Sequence, residues 1–368
     1  MPHFVRSAAA FCLASSAIWL GCSHKDGTTP PVTTVDPDTL APPPTGQGVQ
    51  FKSGDFAIPP GNEAQYCYFF KVSDLAKAGG LDPAKPVNLH RVQVAQRIGT
   101  HHMNVFRVRT IVGLDPTKGP VLSTNGTGEC FKSPNWADWP LVTNAQQGGA
   151  LDWTYPDGVV NELMPDEWLM MQTHYVNATT QATPDAIGSA TVNFYTLPDD
   201  KITAQLGTVF ATKQSIRVCS KNPTPTFSGT CQIHSPSPVT IIGANGHFHS
   251  RGKEFDIFAW DGTSTTKPDD SQRFYQSKAW DDPPMLHSPD LSIQVPANGG
   301  IFYTCGFQWE PPTDTVGCAG VNAYDKSKYM TPDDQLDCCY TFGGVVEKSE
   351  HCNAFVYYYP KQDNVNCN

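Results

Sequence analysis

The sequence predicts an all-β protein built as two antiparallel β-sandwiches in tandem, and three observations carry that expectation. Apolar and polar residues alternate with period two in residues 66–72, 87–95, 106–112, 191–197, 239–244, 255–259 and 291–295, and 353–359 is dense in aromatic and β-branched residues. Side chains on a strand point to opposite faces in turn, so this pattern describes strands with one face on a core. Proline (32) and glycine (30) make up about a sixth of the 368 residues, which punctuates the chain too often for long helices. The third observation is a change of character at Leu197-Pro-Asp-Asp200, which divides the body into halves 51–198 and 199–368. The one helix-like stretch is 73–78, about a turn and a half.

Residues 1–22 read as an export signal. Arg6 precedes an apolar run over 8–20 that is too short to span a bilayer, and Gly21-Cys22 closes it. Leu20-Gly21-Cys22 resembles a bacterial lipoprotein signal, in which the cysteine is lipidated. The expected location is therefore outside the cytoplasm, lipid-anchored at a bacterial envelope or cell surface, or otherwise secreted. Any membrane contact is expected only through that N-terminal anchor. Residues 23–50 are rich in Thr, Pro, Gly and Asp, including Pro42-Pro43-Pro44, and read as a stiff, extended tether.

With a net charge of −10 the chain lacks the basic footprint that a phosphate backbone requires, so nucleic acid is excluded as a partner. The 12 cysteines include Cys12 and Cys22 in the signal, leaving ten in an exported body, an even number that suggests disulfides. No Cys-x-x-Cys pair occurs among them, which argues against a thiolate zinc site. The short spacing of Cys219 and Cys231 suggests that these two pair.

Nine of the 11 histidines lie in the body. His90, His234 and His287 read as surface or hydrogen-bonded residues. The others are grouped: His101-His102 and His174 in the first half, His247-Phe-His249 and His351 in the second. In His-x-His on a strand both imidazoles project from one face and can chelate one ion. Adjacent His101 and His102 point to opposite faces of a regular strand; they share an ion only if the backbone bulges or one ring turns its backbone-near nitrogen inward. His174 and His351 are the natural third ligands. Imidazole-only donor sets suit copper, zinc, iron or nickel.

Taken in order, His101-His102-Met103, Gln172-Thr-His174-Tyr175, His247-Phe-His249 and Cys352-Asn353, with Tyr66-Cys67 and Tyr303-Thr-Cys305 as supporting matches, resemble the copper type II, ascorbate-dependent monooxygenases. Peptidylglycine alpha-hydroxylating and dopamine beta-monooxygenase are members of that family. The resemblance covers most of residues 55–360. It implies two jelly-roll β-sandwiches facing each other across a solvent-filled cleft. Each would hold one copper ion: an electron-transfer copper on His101, His102 and His174, and a catalytic copper on His247, His249 and the residue at position 351. Activity would consume O2 and a reductant such as ascorbate to hydroxylate a C–H bond of a small-molecule or peptide substrate that the sequence does not identify. The same resemblance implies disulfides Cys67–Cys130 and Cys305–Cys352.

The sequence departs from that family at three places. His351 stands where the family has a methionine ligand; imidazole holds the oxidised ion more readily than a thioether. Met285 or Met330 could serve instead if His351 points away. Asn245 and Phe355 stand where peptide-amidating members carry an arginine and a tyrosine for the peptide carboxylate, which removes its bidentate anchor. The exchange at His351 also favours an alternative, an extracytoplasmic copper-binding protein without turnover. A zinc hydrolase is a further alternative; it requires a general base, and no His-Glu-x-x-His motif supplies one. A purely structural or carbohydrate-binding sandwich is the remaining possibility.

Overall fold

The computed structural model describes residues 36–97, 99–109, 117, 121–124, 127–128, 139–146, 150–177, 186–281, 283–311, 339–343, 346 and 349–368. The described chain is all-β, and its one α-helix is Val72–Ala78. Two large sheets come from the first half. One orders Gly48–Lys52, Ala190–Thr196, Val87–Gln96, Val159–Leu163 and Ala204–Gln205, with Leu151–Thr154 also paired to Val87–Gln96. The other runs Thr127–Gly128, Val121–Thr124, Asn62–Lys71, Trp168–Asn177, Thr100–Arg107 and Leu141–Gln146.

The second half supplies two more. One orders Gly207–Thr212, Asn353–Tyr359, Val239–His247 and Leu286–His287, with Ile293–Val295 also on Val239–His247. The other orders Arg273–Ser277, Gly252–Trp260, Gly300–Phe307, Thr226–Ile233 and Val365–Cys367. Among the described strands, pairing is antiparallel except where Val159–Leu163 meets Ala204–Gln205. That pairing carries the chain just past residue 199 back onto the first half.

Two apolar clusters fill the space between sheets, and strand Asn353–Tyr359 belongs to both. Its odd residues Phe355 and Tyr357 sit in the cluster of the first half, whereas Ala354, Val356 and Tyr358 sit in that of the second. Period-two alternation thus sends every second side chain into a different core, and no face is left for water. After Asn353 the strand accordingly reads Ala-Phe-Val-Tyr-Tyr-Tyr, apolar and aromatic on both faces. Phe355 stacks on Phe210 at 4.9 Å between ring centres, and Phe210 meets Phe106 of the first half at 5.8 Å. Hydrogen bonds cross the same interface. The Tyr357 hydroxyl and the Asn144 amide form a chain to Asn245 (2.5 and 3.0 Å), and the Trp153 indole N–H donates to the Ser288 hydroxyl at 3.0 Å.

Some expectations shift against this frame. The strand expected at 106–112 is Thr100–Arg107; Arg107 ends it and clamps Glu167 at 2.9 Å through both carboxylate oxygens. Alternation missed its start because the pairing skips a residue: His174 lies opposite His102 but Tyr175 opposite Thr100, so His101 is an extra, bulged residue. The later part of the expected tether does not stand free. Asp38 pairs with Arg97, the Pro37 and Ala41 carbonyls accept hydrogen bonds from Thr191 and Asn193, and Gly48–Lys52 is a full edge strand. Carbonyls of a proline-rich segment remain good acceptors even where the prolines lack N–H groups. Residues 1–35, with the signal, lie outside the described residues.

The disulfides include one correction. Cys305–Cys352 forms as the resemblance implies. Cys219 and Cys231 do not pair with each other: register places Cys219 opposite Cys339 and Cys231 opposite Cys367, and those are the bonds observed. Proximity in sequence lost to cross-strand proximity. Cys67 is also disulfide-bonded; its expected partner Cys130 lies outside the described residues.

Because Phe355 is shared by both halves' packing, Phe355→Ala should lower stability by about 3–5 kcal/mol, the range for a large aromatic removed from a packed core. Denaturant unfolding checks this; a loss under about 1 kcal/mol would mean that the interface is not a packed core.

Candidate metal centre

Six histidines converge where the two halves meet. His101 and His102 lie on the bulged strand Thr100–Arg107, and His174 lies on its neighbour Trp168–Asn177. The bulge answers the geometric problem of adjacent histidines: the His101 and His102 rings come to 5.1 Å between centres, with their Nδ1 atoms 2.9 Å apart. His174 stands 5.0 Å from each of them. In the second half His247 ends strand Val239–His247, His249 follows two residues on, and His351 immediately precedes the shared strand. Its disulfide neighbour Cys352 ties that turn to Gly300–Phe307. The His249 and His351 rings are 4.2 Å apart, and His247 is 5.4 and 5.3 Å from them. Within each triad, one nitrogen per ring lies within 4.8 Å of the others. His351 therefore occupies the third position of its triad. Met285 packs with the apolar cluster of the first half instead, and Met330 lies outside the described residues.

The two triads adjoin. His101 and His102 stand 4.9 and 5.0 Å from His247, and His101 stands 5.7 Å from His249, distances like those within each triad. All six residues are 0–6 % exposed. The rings thus form one dry cluster in place of the solvent-filled cleft that the resemblance implies. The residues compared with a carboxylate anchor lie in the same closed interface: Asn245 is buried and accepts from Asn144, and Phe355 stacks on Phe210.

Around the rings, other groups fix orientation and tautomer. A carboxylate can only accept, so at 3.0 Å the Glu63 oxygen receives the Nε2–H of His174, which leaves the His174 Nδ1 lone pair directed elsewhere. The Ser349 carbonyl accepts from His249 Nδ1 at 2.9 Å and leaves Nε2 bare. Gln172 hydrogen-bonds the His102 ring. Glu350 is completely buried and receives the backbone N–H groups of His249 (3.0 Å) and Arg251 (3.1 Å) together with the Arg251 guanidinium (3.2 Å). Arg251 in turn lies 3.6 Å over the Tyr340 ring. This clamp holds the His247–His249 turn against His351. Glu63 and Glu350 carried no signal of their own in the sequence. Glu63 comes near His174 only through the register that sets Val176 opposite it, and Glu350 through a contact a hundred residues distant in sequence.

Burial holds His101, His102, His247 and His351 well below the ordinary imidazole range, reinforced by neighbouring rings from both triads. It brings His249 to about 3, against the opposing effect of the Ser349 carbonyl. Neutral imidazoles are the form that binds metal. Yet His101 Nε2, His174 Nδ1, both nitrogens of His247, His249 Nε2 and His351 Nδ1 are buried with no protein partner. Each such atom costs roughly 1–3 kcal/mol, and six together rival the whole net stability of a typical domain, about 5–15 kcal/mol. Transition-metal ions satisfy lone pairs of this kind, so the residues present fit a metal group. The three set-aside histidines behave differently: His90 and His287 bond backbone carbonyls at 2.8 and 2.9 Å, and His234 is half-buried away from the cluster.

The chain matches no protein-family model and no curated protein. Among solved structures, it has a likeness to PNGase F, a glycosylasparaginase from Flavobacterium meningosepticum, at 9% identity and a TM-score of 0.25, covering 90% of this chain and 97% of that one. It also has one to the PBSX exported protein XepA, at 6% identity and a TM-score of 0.19, covering 73% and 89%. Similarity at that level carries no argument.

Two predictions follow from the geometry. In the metal-free protein the five depressed histidines stay unprotonated when folded but take up protons near pH 6.5 when unfolded. The unfolded state then binds more protons, so stability falls as pH drops below about 7, by at most about 1.4 kcal/mol per ring per pH unit. Glu350 opposes this, because burial raises it to about 7 and it gains a proton in the folded state first; one carboxyl against five rings leaves the sign unchanged. Thermal melts should be flat above pH 8 and decline steeply from pH 7 to 5; a rising Tm over that acid range contradicts the burial argument. Separately, Glu63→Ala should weaken metal binding about 10–100-fold, the usual cost of losing a carboxylate behind a histidine ligand. Competition with a chelator measures it, and an unchanged affinity would remove Glu63 from the site.

Proposed function

We propose that the protein is an exported copper-dependent monooxygenase, which uses O2 and a reductant such as ascorbate to hydroxylate a C–H bond. The single observation that supports this reading most is the set of six buried imidazoles, five of them with a bare nitrogen, in the two triads that the resemblance implies. An all-imidazole donor set suits copper among the redox metals. Disulfides Cys219–Cys339, Cys231–Cys367 and Cys305–Cys352 agree with an oxidising compartment, as export requires. The envelope anchor at Cys22 remains part of the same proposal.

When bound, the copper ions supply one-electron redox chemistry toward O2 and the reductant. The chain supplies placement and environment. His101, His102 and His174 form the electron-transfer triad; His247, His249 and His351 form the triad assigned to oxygen. Glu63 and the Ser349 carbonyl hold the proton on the outward nitrogen of their partner rings, so that the inward one stays a donor. Glu350 is no general base here. Both of its oxygens accept hydrogen bonds, and this weighs against the hydrolytic reading. Trp280, at 6.1 Å from His101, and Phe342, at 4.9 Å from His351, cover the cluster with apolar rings and exclude water.

Two observations favour a second reading, an extracytoplasmic copper-binding protein without turnover. The six residues are at most 6 % exposed, and His351 replaces a soft thioether by an imidazole. The test that separates the two begins with copper-loaded protein, ascorbate and labelled O2 over a broad panel of small molecules and peptides. The monooxygenase reading expects label in a product and its loss in His249→Ala. Copper bound at two ions per chain with no labelled product across the panel leaves the binding protein; no copper bound removes both.

A further inference from the structure

Among the six rings His247 alone has both nitrogens buried without a protein partner. His174 gives one nitrogen to Glu63, His249 gives one to Ser349, and His101 and His102 face each other through Nδ1. A neutral imidazole carries one N–H and one lone pair, so an ion on one nitrogen of His247 still strands the N–H of the other in a dry interior. No acceptor in the described protein meets it. His247 also stands centrally, 4.9 and 5.0 Å from His101 and His102 on one side and 5.4 and 5.3 Å from His249 and His351 on the other. Imidazoles that share one ion at roughly 2.0–2.1 Å have ring centres on the order of 4.5–5.5 Å apart. Every one of those four separations falls in that interval.

We propose that His247 is a bridging ligand that binds one copper ion through each ring nitrogen and joins the two triads into a single dinuclear centre. The proposal rests on the copper reading above and deepens it. One ion has His101, His102 and His174 as its other ligands; the second has His249 and His351. Binding of the second ion displaces the remaining N–H proton of His247 to solvent, so the ring becomes an imidazolate and no electron is gained or lost. Strand geometry fixes the ring in this place. A side chain at Gly246 would come within 2.3 Å of the Phe255 ring, so the backbone just before His247 lies directly on the core and cannot retreat. With a conjugated ring between them, the two ions couple their spins through that ring, whereas ions held apart by a solvent gap do not.

The experiment is a Cu(II) titration of the full metal-free chain, without reductant, followed by metal analysis and electron paramagnetic resonance. The first equivalent should give an ordinary mononuclear signal. The second should bind with release of one proton and reduce the integrated spin to well under half of the bound copper. Two bound ions with full integrated spin overturn the bridge and leave the copper reading standing; a chain that binds no copper overturns both. In His247→Ala and His247→Asn, checked for fold by circular dichroism, the spin should integrate fully to the copper that remains bound. Coupled copper pairs persisting in either variant would assign the bridge to another group.

Discussion

The arrangement depends on one strand that has no outside. Asn353–Tyr359 gives Phe355 and Tyr357 to one apolar cluster and Ala354, Val356 and Tyr358 to the other, so neither half can bury its core without the other in place. Burial of apolar side chains is the dominant favourable term in folding, and here part of it is available only across the interface. His351 and Cys352 lead directly into this strand, and His247 lies opposite Asn353 on the neighbouring one. The packing that joins the halves therefore also aligns the second triad against the first.

A closed interface changes the electrostatics of the site. In a wet cleft, water would satisfy the free ring nitrogens, and protonation would be governed by pH alone. In the dry cluster the charged forms of His101, His102, His247, His249 and His351 are disfavoured, and each bare nitrogen carries a desolvation cost. Both effects favour a bound metal ion, and both make the protein surrounding the rings matter as much as the rings. Glu63, Ser349, Glu350 and Arg251 set tautomer and position without offering a ligand atom themselves. The clamp through Glu350 is worth having only because its two oxygens are fully used; an unpaired buried carboxylate would be severely destabilising.

The same closure gives Asn245 and Phe355 a role in packing. Asn245 is the end of a hydrogen-bonded chain from Tyr357 through Asn144, and Phe355 is the middle of an aromatic stack. In this structure both positions are packing groups of a closed interface, not the walls of a carboxylate pocket.

The sequence determined the fold class and singled out the six histidines that converge. Period-two alternation and turn residues are local properties, legible without coordinates, and so were the strand 353–359, the short helix and the grouping of six histidines. Cys305–Cys352 was legible through family resemblance. What the sequence could not show is whatever depends on register or on two distant segments meeting. The bulge at His101 erased the alternation that would have revealed its strand, the partners of Cys219 and Cys231 were set by cross-strand neighbours more than a hundred residues away, and Glu63 reached His174 only through strand pairing. The contact between the two triads was decided by tertiary structure alone, because it comes from a strand with two buried faces, and a sequence records which residues are apolar but not how many cores they fill.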